Sequence, residues 1–240
     1  MPESAIRRVV VLAAGRGTRM GEITADIPKP MLPVRGRPIL EHVLDRLAAA
    51  GAKEFFIVVG HRRELIEAYF RNWRFPIQFL VQDPVNGTGS AALLSRDFVA
   101  GAPFLLTFAD ILCDSSAYLR CARVLEEHPT AAAVLGVREV DDPWRGAAVY
   151  VEAGKVTNVI EKPPRGGSTT HWNSAGLFVF RPPAFEYLAR LQPSVRNEYE
   201  LTAIFNPMLR DNLELRISAI EGNWRDVGYP DDLEAVKADQ

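Results

Sequence analysis

The segment from Arg8 to Gly21 constrains this chain most: an unbroken apolar run, Val9-Val10-Val11-Leu12-Ala13-Ala14, passes directly into Gly15-Arg16-Gly17-Thr18-Arg19-Met20-Gly21. A run without apolar–polar alternation is what a strand buried on both faces looks like, and such strands lie inside parallel, helix-covered sheets. Glycines straight after the strand let backbone N–H groups approach phosphate oxygens, and Arg19 adds a forked donor that spreads phosphate charge. Taken alone the turn is ambiguous, because Gly15-x-Gly17-x-x-x-Gly21 also fits a dinucleotide-binding loop and glycine-rich turns also arise from packing alone. It is not a P-loop, since no GxxxxGK[ST] occurs.

Periodicity extends the strand into an α/β plan. Strands are expected over 6–13, 54–59, 77–82 and 103–108, with helices over 38–50, 61–73 and 88–99 between them. In the first helix Ile39, Leu40, Val43, Leu44 and Leu47 share one face, Pro38 suits the first turn and Gly51 the stop. Beyond about residue 131 short strands are expected over 131–137, 147–151, 156–160 and 176–180, joined by tight loops such as Glu152-Ala153-Gly154-Lys155. Helices return over 182–191, 199–209 and 230–238, around a strand over 213–220. The fold class expected is α/β: a Rossmann-like, mostly parallel mixed sheet flanked by helices, forming a single domain over 1–240.

Composition removes other classes. With 28 Lys plus Arg against 30 Asp plus Glu the net charge is −2, which argues against a nucleic-acid partner. At 48% hydrophobic and 24% charged the chain matches a globular domain. Its apolar runs end far short of the ~18 residues a membrane span needs, so no membrane partner is expected. The N-terminus reads as a strand rather than a signal peptide. Cys113 and Cys121 form no CxxC pair, and His42, His61, His128 and His171 lack metal spacing, so a cytoplasmic location is expected. The neutral total conceals a gradient. Residues 1–40 hold seven basic against three acidic residues, and 197–240 hold ten acidic against four basic. One end suits phosphates and the other suits a metal, although solvated surface accounts for most of these charges.

Soon after the glycine turn, Asp26-Ile27-Pro28-Lys29-Pro30-Met31-Leu32-Pro33-Val34 places a lysine between two prolines that stiffen the backbone and deny it helical geometry. Later segments come in order: Gln82-Asp83-Pro84-Val85-Asn86-Gly87-Thr88-Gly89, Ala109-Asp110, Glu161-Lys162-Pro163, Asn173-Ser174-Ala175-Gly176, Glu198-Tyr199-Glu200-Leu201-Thr202 and Trp224-Arg225-Asp226-Val227-Gly228. Across nearly the whole chain this set resembles the nucleotidylyltransferases that activate sugar 1-phosphates, of the glucose-1-phosphate thymidylyltransferase and UTP-glucose-1-phosphate uridylyltransferase kind.

The resemblance implies a nucleotide-diphospho-sugar transferase fold, with a nucleotide-binding half over 1–130 and a sugar-phosphate-binding half over 131–240. It implies transfer of a nucleotidyl group from a nucleoside triphosphate, UTP or dTTP, to a sugar 1-phosphate, glucose 1-phosphate above all, with release of pyrophosphate. Leu12, Ala14, Gly15, Gly17, Thr18, Gln82, Gly87 and Thr88 would bind the nucleotide, and Arg19, Lys29 and Lys162 would be catalytic. Asp110, Gly146, Glu161, Lys162 and Asn173 would bind the sugar phosphate, and Asp110 with Asp226 would hold Mg²⁺. Chemically this is coherent. The phosphate nucleophile is already ionised at neutral pH, so the task is neutralisation and alignment rather than proton abstraction. Asp110 follows an apolar strand and would stand at a carboxyl edge, where such sheets bind ligands; a helix-cap role is the plainer alternative for one such aspartate.

The chain departs from that pattern in places. Ala14 stands where many relatives have a second glycine, Ala109-Asp110 where they have Gly-Asp, and Arg145-Gly146-Ala147 where an aromatic-Gly-Val is usual. It ends soon after Asp226, which suggests a minimal unit without an appended lobe, and homo-oligomerisation stays open. Other readings are a cytidylyl- or guanylyltransferase on another phosphorylated sugar or alcohol, or a non-catalytic nucleotide-sugar-binding subunit. An NADP-dependent reductase fits poorly, because no tyrosine is followed by lysine four positions on.

Overall fold

A computed structural model describes residues 6–238; Glu3 and Asp239, counted in the charge gradient, lie outside the described residues. In chain order the elements are β1 (Arg8–Leu12), a 3-10 segment (Thr18–Thr24), a 3-10 turn (Lys29–Met31), the hairpin β2 (Pro33–Val34) and β3 (Arg37–Pro38), α1 (Ile39–Ala49), β4 (Glu54–Val59), α2 (Arg63–Phe70) and β5 (Ile77–Val81). Then come α3 (Thr88–Leu93), α4 (Arg96–Val99), β6 (Phe104–Phe108), β7 (Ile111–Cys113), α5 (Ser115–Glu127), β8 (Ala131–Glu139), β9 (Ala147–Glu152), β10 (Lys155–Glu161) and β11 (Trp172–Phe180). The chain closes with α6 (Ala184–Leu188), a 3-10 turn (Leu201–Ile204), α7 (Phe205–Arg210), β12 (Glu214–Ala219), β13 (Trp224–Asp226) and α8 (Pro230–Ala238).

One sheet runs in the order β5-β4-β1-β6-β11-β8-β12-β10-β9. It is parallel from β5 to β6, turns antiparallel where β11 meets β6, and stays mixed beyond, with β8 and β12 parallel. β1 lies between β4 and β6, which explains its unbroken apolar sequence. Val9 and Val11 enter one core and Val10 and Leu12 the other, on opposite faces of the pleat. The first core packs α1, α2 and α5 against the sheet, and the second packs α3, α6 and α7.

Differences from the periodicity are instructive. The helix expected over 88–99 is two, broken at Ser95, whose hydroxyl donates to the Ala92 carbonyl at 2.7 Å. The helix expected over 199–209 begins as a 3-10 turn. α5 goes unpredicted because its buried face is Ala117, Tyr118, Cys121, Ala122 and Leu125 rather than an aliphatic run. β7 and β13, three residues each, are too short to show a period, yet they pair antiparallel and bring Asp226 back to the strand that begins just after Asp110.

Candidate active site

The carboxyl ends of β1 and β6 form the floor of a cleft. Ala109 N–H donates to Leu12 O at 3.0 Å and Ala13 N–H to Val58 O at 2.8 Å, so the glycine-rich turn leaves the sheet beside Asp110. Leu12 and Ala14 are buried, whereas Gly15, Thr18 and Arg19 are exposed. The turn is stitched to itself at Gly17, whose carbonyl accepts from Met20 N–H at 2.8 Å and from the Thr24 hydroxyl at 3.1 Å. Met20, next to Arg19, is buried in a small third core with Leu32, Val34, Ile39, Val227, Leu233 and Val236. Burying one such side chain stabilises by about 1.5–3 kcal/mol, enough to pin the loop that carries Arg19. The same core anchors Val227, the residue after Asp226.

Contrary to the expectation that the prolines deny helical geometry, Lys29 occupies the first position of a 3-10 turn, because Pro28 caps it and Pro30 sits where no N–H partner is needed, and only 7% of Lys29 is exposed. Its Nζ donates to Asp110 Oδ2 at 2.5 Å. The short β7–β13 ladder places Asp226 opposite Ile111, and Val227 N–H donates to the Asp110 carbonyl at 3.0 Å. Two carboxylates 116 positions apart in sequence thus share one corner with a buried lysine. Crowding by the surrounding protein, and then the negative charge of Asp110, push the Asp226 carboxyl up to about 6 against the pull of Lys29 and Arg19. Asp226 nonetheless keeps access to solvent. Among the described residues no cluster of three or more His, Cys, Asp or Glu side chains could hold a metal. A two-carboxylate corner is what Mg²⁺ uses when phosphate and water oxygens complete its shell.

The segment after β5 closes one side. Gln82 is buried, and its Nε2 donates to Gly87 O at 2.8 Å and to Ser90 Oγ at 2.9 Å, so its amide nitrogen is spent on shaping the loop. Gly87 has φ +127°, and a Cβ there would stand 2.5 Å from the backbone of Tyr199. Tyr199 N–H donates to Asn86 O at 2.9 Å, Gly89 N–H to Tyr199 O at 2.7 Å, and Leu201 N–H to the Thr88 hydroxyl at 3.0 Å. Thr88 therefore joins the two halves of the chain.

On the opposite side Lys162 N–H donates to Gly146 O at 2.7 Å. Gly146 faces the Asn173 amide so closely that a Cβ would stand 2.3 Å from Oδ1. Asn173 Nδ2 donates to Ser174 O at 2.8 Å, whereas Oδ1 is buried with no partner. An unpaired buried acceptor is costly, and a hydroxyl donor arriving there would satisfy it. Glu161 accepts from the Thr202 hydroxyl at 2.9 Å and from Arg196 Nη2 at 3.4 Å. Burial is the main cause that raises its carboxyl above the usual range, the Thr202 bond opposing it.

The structure thus brings Lys29, Asp110 and Asp226 to one corner, ties Gln82, Gly87 and Thr88 to the Tyr199 segment, and sets Gly146 beside Asn173 and Lys162. Arg196, missed in the sequence, bridges Glu161 and Glu200. Its only sequence signal was a position two residues before Glu198. An open hollow of about 400 Å³ beside α1 is lined by Arg35, Arg37, His42, Asp45, Arg46 and Ala49. There Arg37 is paired with Glu41 and Asp45, and Arg46 with Asp114.

The nucleotidyl transferase family model matches residues 8–240. Relatives include the UTP–glucose-1-phosphate uridylyltransferase AglF of Haloferax volcanii, 34% identical over 96% of this chain and 95% of that protein. They also include the bifunctional protein GlmU of Methanococcus maripaludis, 30% identical over 93% of this chain. The chain spans about half the length of the bifunctional relatives it matches, 52% for that one. In solved structures, a UDP-glucose pyrophosphorylase complexed with UDP-glucose superposes with a TM-score of 0.88 at 22% identity, covering 97% of each chain, which shows the fold. A putative glucose-1-phosphate thymidylyltransferase from Bacillus anthracis superposes with a TM-score of 0.84 at 25% identity, covering 98% of this chain and 94% of that one.

Proposed function

The chain belongs to the nucleotidyl transferase family, and from that premise we propose that it transfers a uridylyl or thymidylyl group from UTP or dTTP to glucose 1-phosphate or a close analogue. The observation that carries this reading is the corner where Lys29 Nζ meets Asp110 and the β7–β13 ladder brings up Asp226, at the carboxyl edge beside a glycine-rich turn. An oxygen of the sugar phosphate attacks the α-phosphorus in line. The new P–O bond forms as the bond to the β-phosphate breaks, and pyrophosphate leaves with that electron pair.

No proton needs abstracting, so the residues supply charge and alignment. Arg19 stabilises the departing pyrophosphate, Lys29 bridges the phosphates, and Lys162 brings the sugar phosphate against the α-phosphate. Asn173 Oδ1 accepts from a sugar hydroxyl, and Glu161, braced by Thr202 and Arg196, accepts from another. The loop held by Gln82 presents backbone and amide groups to the base. Mg²⁺, held by Asp110 and Asp226, supplies neutralisation of phosphate oxygens when bound; the mutual repulsion of the two carboxylates supports a divalent cation there. Among the described residues no helix is long and apolar enough to cross a membrane, and a cytoplasmic site of action fits the nucleotide substrates.

The test is a matrix of UTP, dTTP, CTP, GTP and ATP against a panel of sugar 1-phosphates with Mg²⁺, read as pyrophosphate release. Highest kcat/KM is expected for UTP or dTTP with glucose 1-phosphate. A maximum with CTP or GTP would move the substrate assignment, and no release from any pair would overturn the enzymatic reading.

A further inference from the structure

A second set of side chains spans the same cleft. Arg19 lies over the Tyr229 ring, 5.4 Å from its centroid, and Arg145 over the same ring at 5.6 Å. Arg145 also lies over Trp144 at 5.1 Å, and Arg165 over Trp144 at 5.5 Å. Cations and rings alternate from Arg19 through Tyr229, Arg145 and Trp144 to Arg165, drawn from four separate segments of the chain. Among the described residues, none of the three arginines is ion-paired to a carboxylate.

The series is anchored at Tyr229 and again at its Arg165 end. Tyr229 N–H donates to Asp232 Oδ2 at 2.7 Å at the start of α8. Gly166 N–H donates to Asp142 Oδ2 at 2.7 Å, and Lys162 N–H to Gly146 O at 2.7 Å, so the turn that carries Trp144 and Arg145 is fixed to the loop that carries Lys162 and Arg165. An exposed arginine otherwise samples many rotamers, and a ring that holds its planar guanidinium removes that freedom before an anion arrives. Two guanidiniums on one ring also repel each other. An incoming polyphosphate relieves that repulsion, within the ~8 Å over which exposed charges interact at physiological salt.

We propose that Tyr229 and Arg145 are positioning residues that hold the Arg19 guanidinium toward the triphosphate and, through Arg145, link it to the loop bearing Lys162. This rests on the proposed nucleotidylyl transfer and concerns how the triphosphate side of that site is ordered.

The experiment measures kcat and KM for UTP and for glucose 1-phosphate in the full chain, with UTP binding followed by calorimetry. Tyr229→Ala should raise the Kd for UTP and lower kcat/KM for UTP, each about fivefold, the size of one exposed cation–π contact, with the KM for glucose 1-phosphate unchanged. Tyr229→Phe, which keeps the ring, should restore both constants to wild-type values. Arg145→Ala should raise the KM for UTP in the wild-type background and add nothing to Tyr229→Ala, because it acts through that ring. The inference falls if Tyr229→Phe is as impaired as Tyr229→Ala. It also falls if Arg145→Ala raises the KM for UTP further in the Tyr229→Ala background, or if all variants match wild type while wild type turns over. A wild-type protein that neither binds nor uses UTP or any other triphosphate would instead remove the proposed function, and this inference with it.

Discussion

Lys29 Nζ and Asp110 Oδ2 are 2.5 Å apart across 81 positions of sequence, and the lysine is almost fully buried. Breaking a buried pair by removing one partner leaves an uncompensated charge, which costs about 3–5 kcal/mol. Lys29→Met should lower Tm by several degrees and reduce pyrophosphate release by about 100-fold or more, the scale of losing one preorganised charge-stabilising donor. The double variant Lys29→Met/Asp110→Asn should recover much of the Tm and none of the turnover. Thermal denaturation and a pyrophosphate assay separate the two effects.

Asp226 gives the pH dependence its sign. Its folded-state pKa, about 6, stands above the ordinary 3.8. Between those values the folded protein binds more protons than the unfolded chain, so this group lowers stability as pH rises through the window. Above pH 6 the full penalty of a charged Asp226 is present. Asp226→Asn should therefore raise the Tm of the metal-free protein at pH 7 to 8, modestly because the group keeps solvent access, and the gain should fade as pH falls toward 4. The same variant should lose most of its turnover. A destabilised Asp226→Asn at pH 8 would contradict the crowding that the β7–β13 ladder imposes.

How much of this could be read from the sequence depends on the range of the interactions. The apolar run of β1, the face of α1 and the strand before Asp110 are local patterns, and each matches its element within a residue or two. That Asp226 lies beside Asp110 is not local. It depends on two three-residue strands with no detectable period, and only the ordered resemblance of motifs pointed to it. Arg196, Tyr229 and the stacking of Arg145 stayed hidden for the same reason: nothing about a single arginine or tyrosine in sequence reports which ring or carboxylate it will meet. Thr88 was legible as part of a motif, yet its hydroxyl bonds the backbone at Leu201, a structural duty that residue type alone does not distinguish from ligand binding.

The sugar side yields a prediction that separates substrate binding from stability. Gly146 has a φ of −121°, outside the left-handed region, so the obstacle to alanine there is space: its Cβ would stand 2.3 Å from Asn173 Oδ1. The amide must swing away, carrying with it a buried acceptor that lacks a partner. Gly146→Ala should raise the KM for the sugar phosphate by about tenfold, as expected when one hydrogen bond worth about 1–3 kcal/mol is lost, while the KM for the triphosphate stays near wild type. Initial-rate kinetics with each substrate varied in turn decide it.

Gly87 tests the seam between the halves. Its φ of +127° is a conformation that side chains rarely adopt, and the space a Cβ would fill is occupied by the Tyr199 backbone at 2.5 Å. Neither neighbour can yield without cost, because Tyr199 N–H and C=O are both engaged with this same loop, at Asn86 and Gly89. Backbone strain and steric displacement add, so Gly87→Ala should destabilise by about 2 kcal/mol or more, read as a lower urea midpoint at unchanged m. Thr88→Val, by contrast, keeps the shape and removes only the acceptor for Leu201 N–H, for which about 1 kcal/mol is expected. If the seam also shapes the base pocket, Gly87→Ala should weaken triphosphate binding even under conditions where it remains fully folded, whereas Thr88→Val should affect stability alone. A triphosphate KM raised by Thr88→Val at unchanged urea midpoint would show instead that Thr88 meets the nucleotide directly.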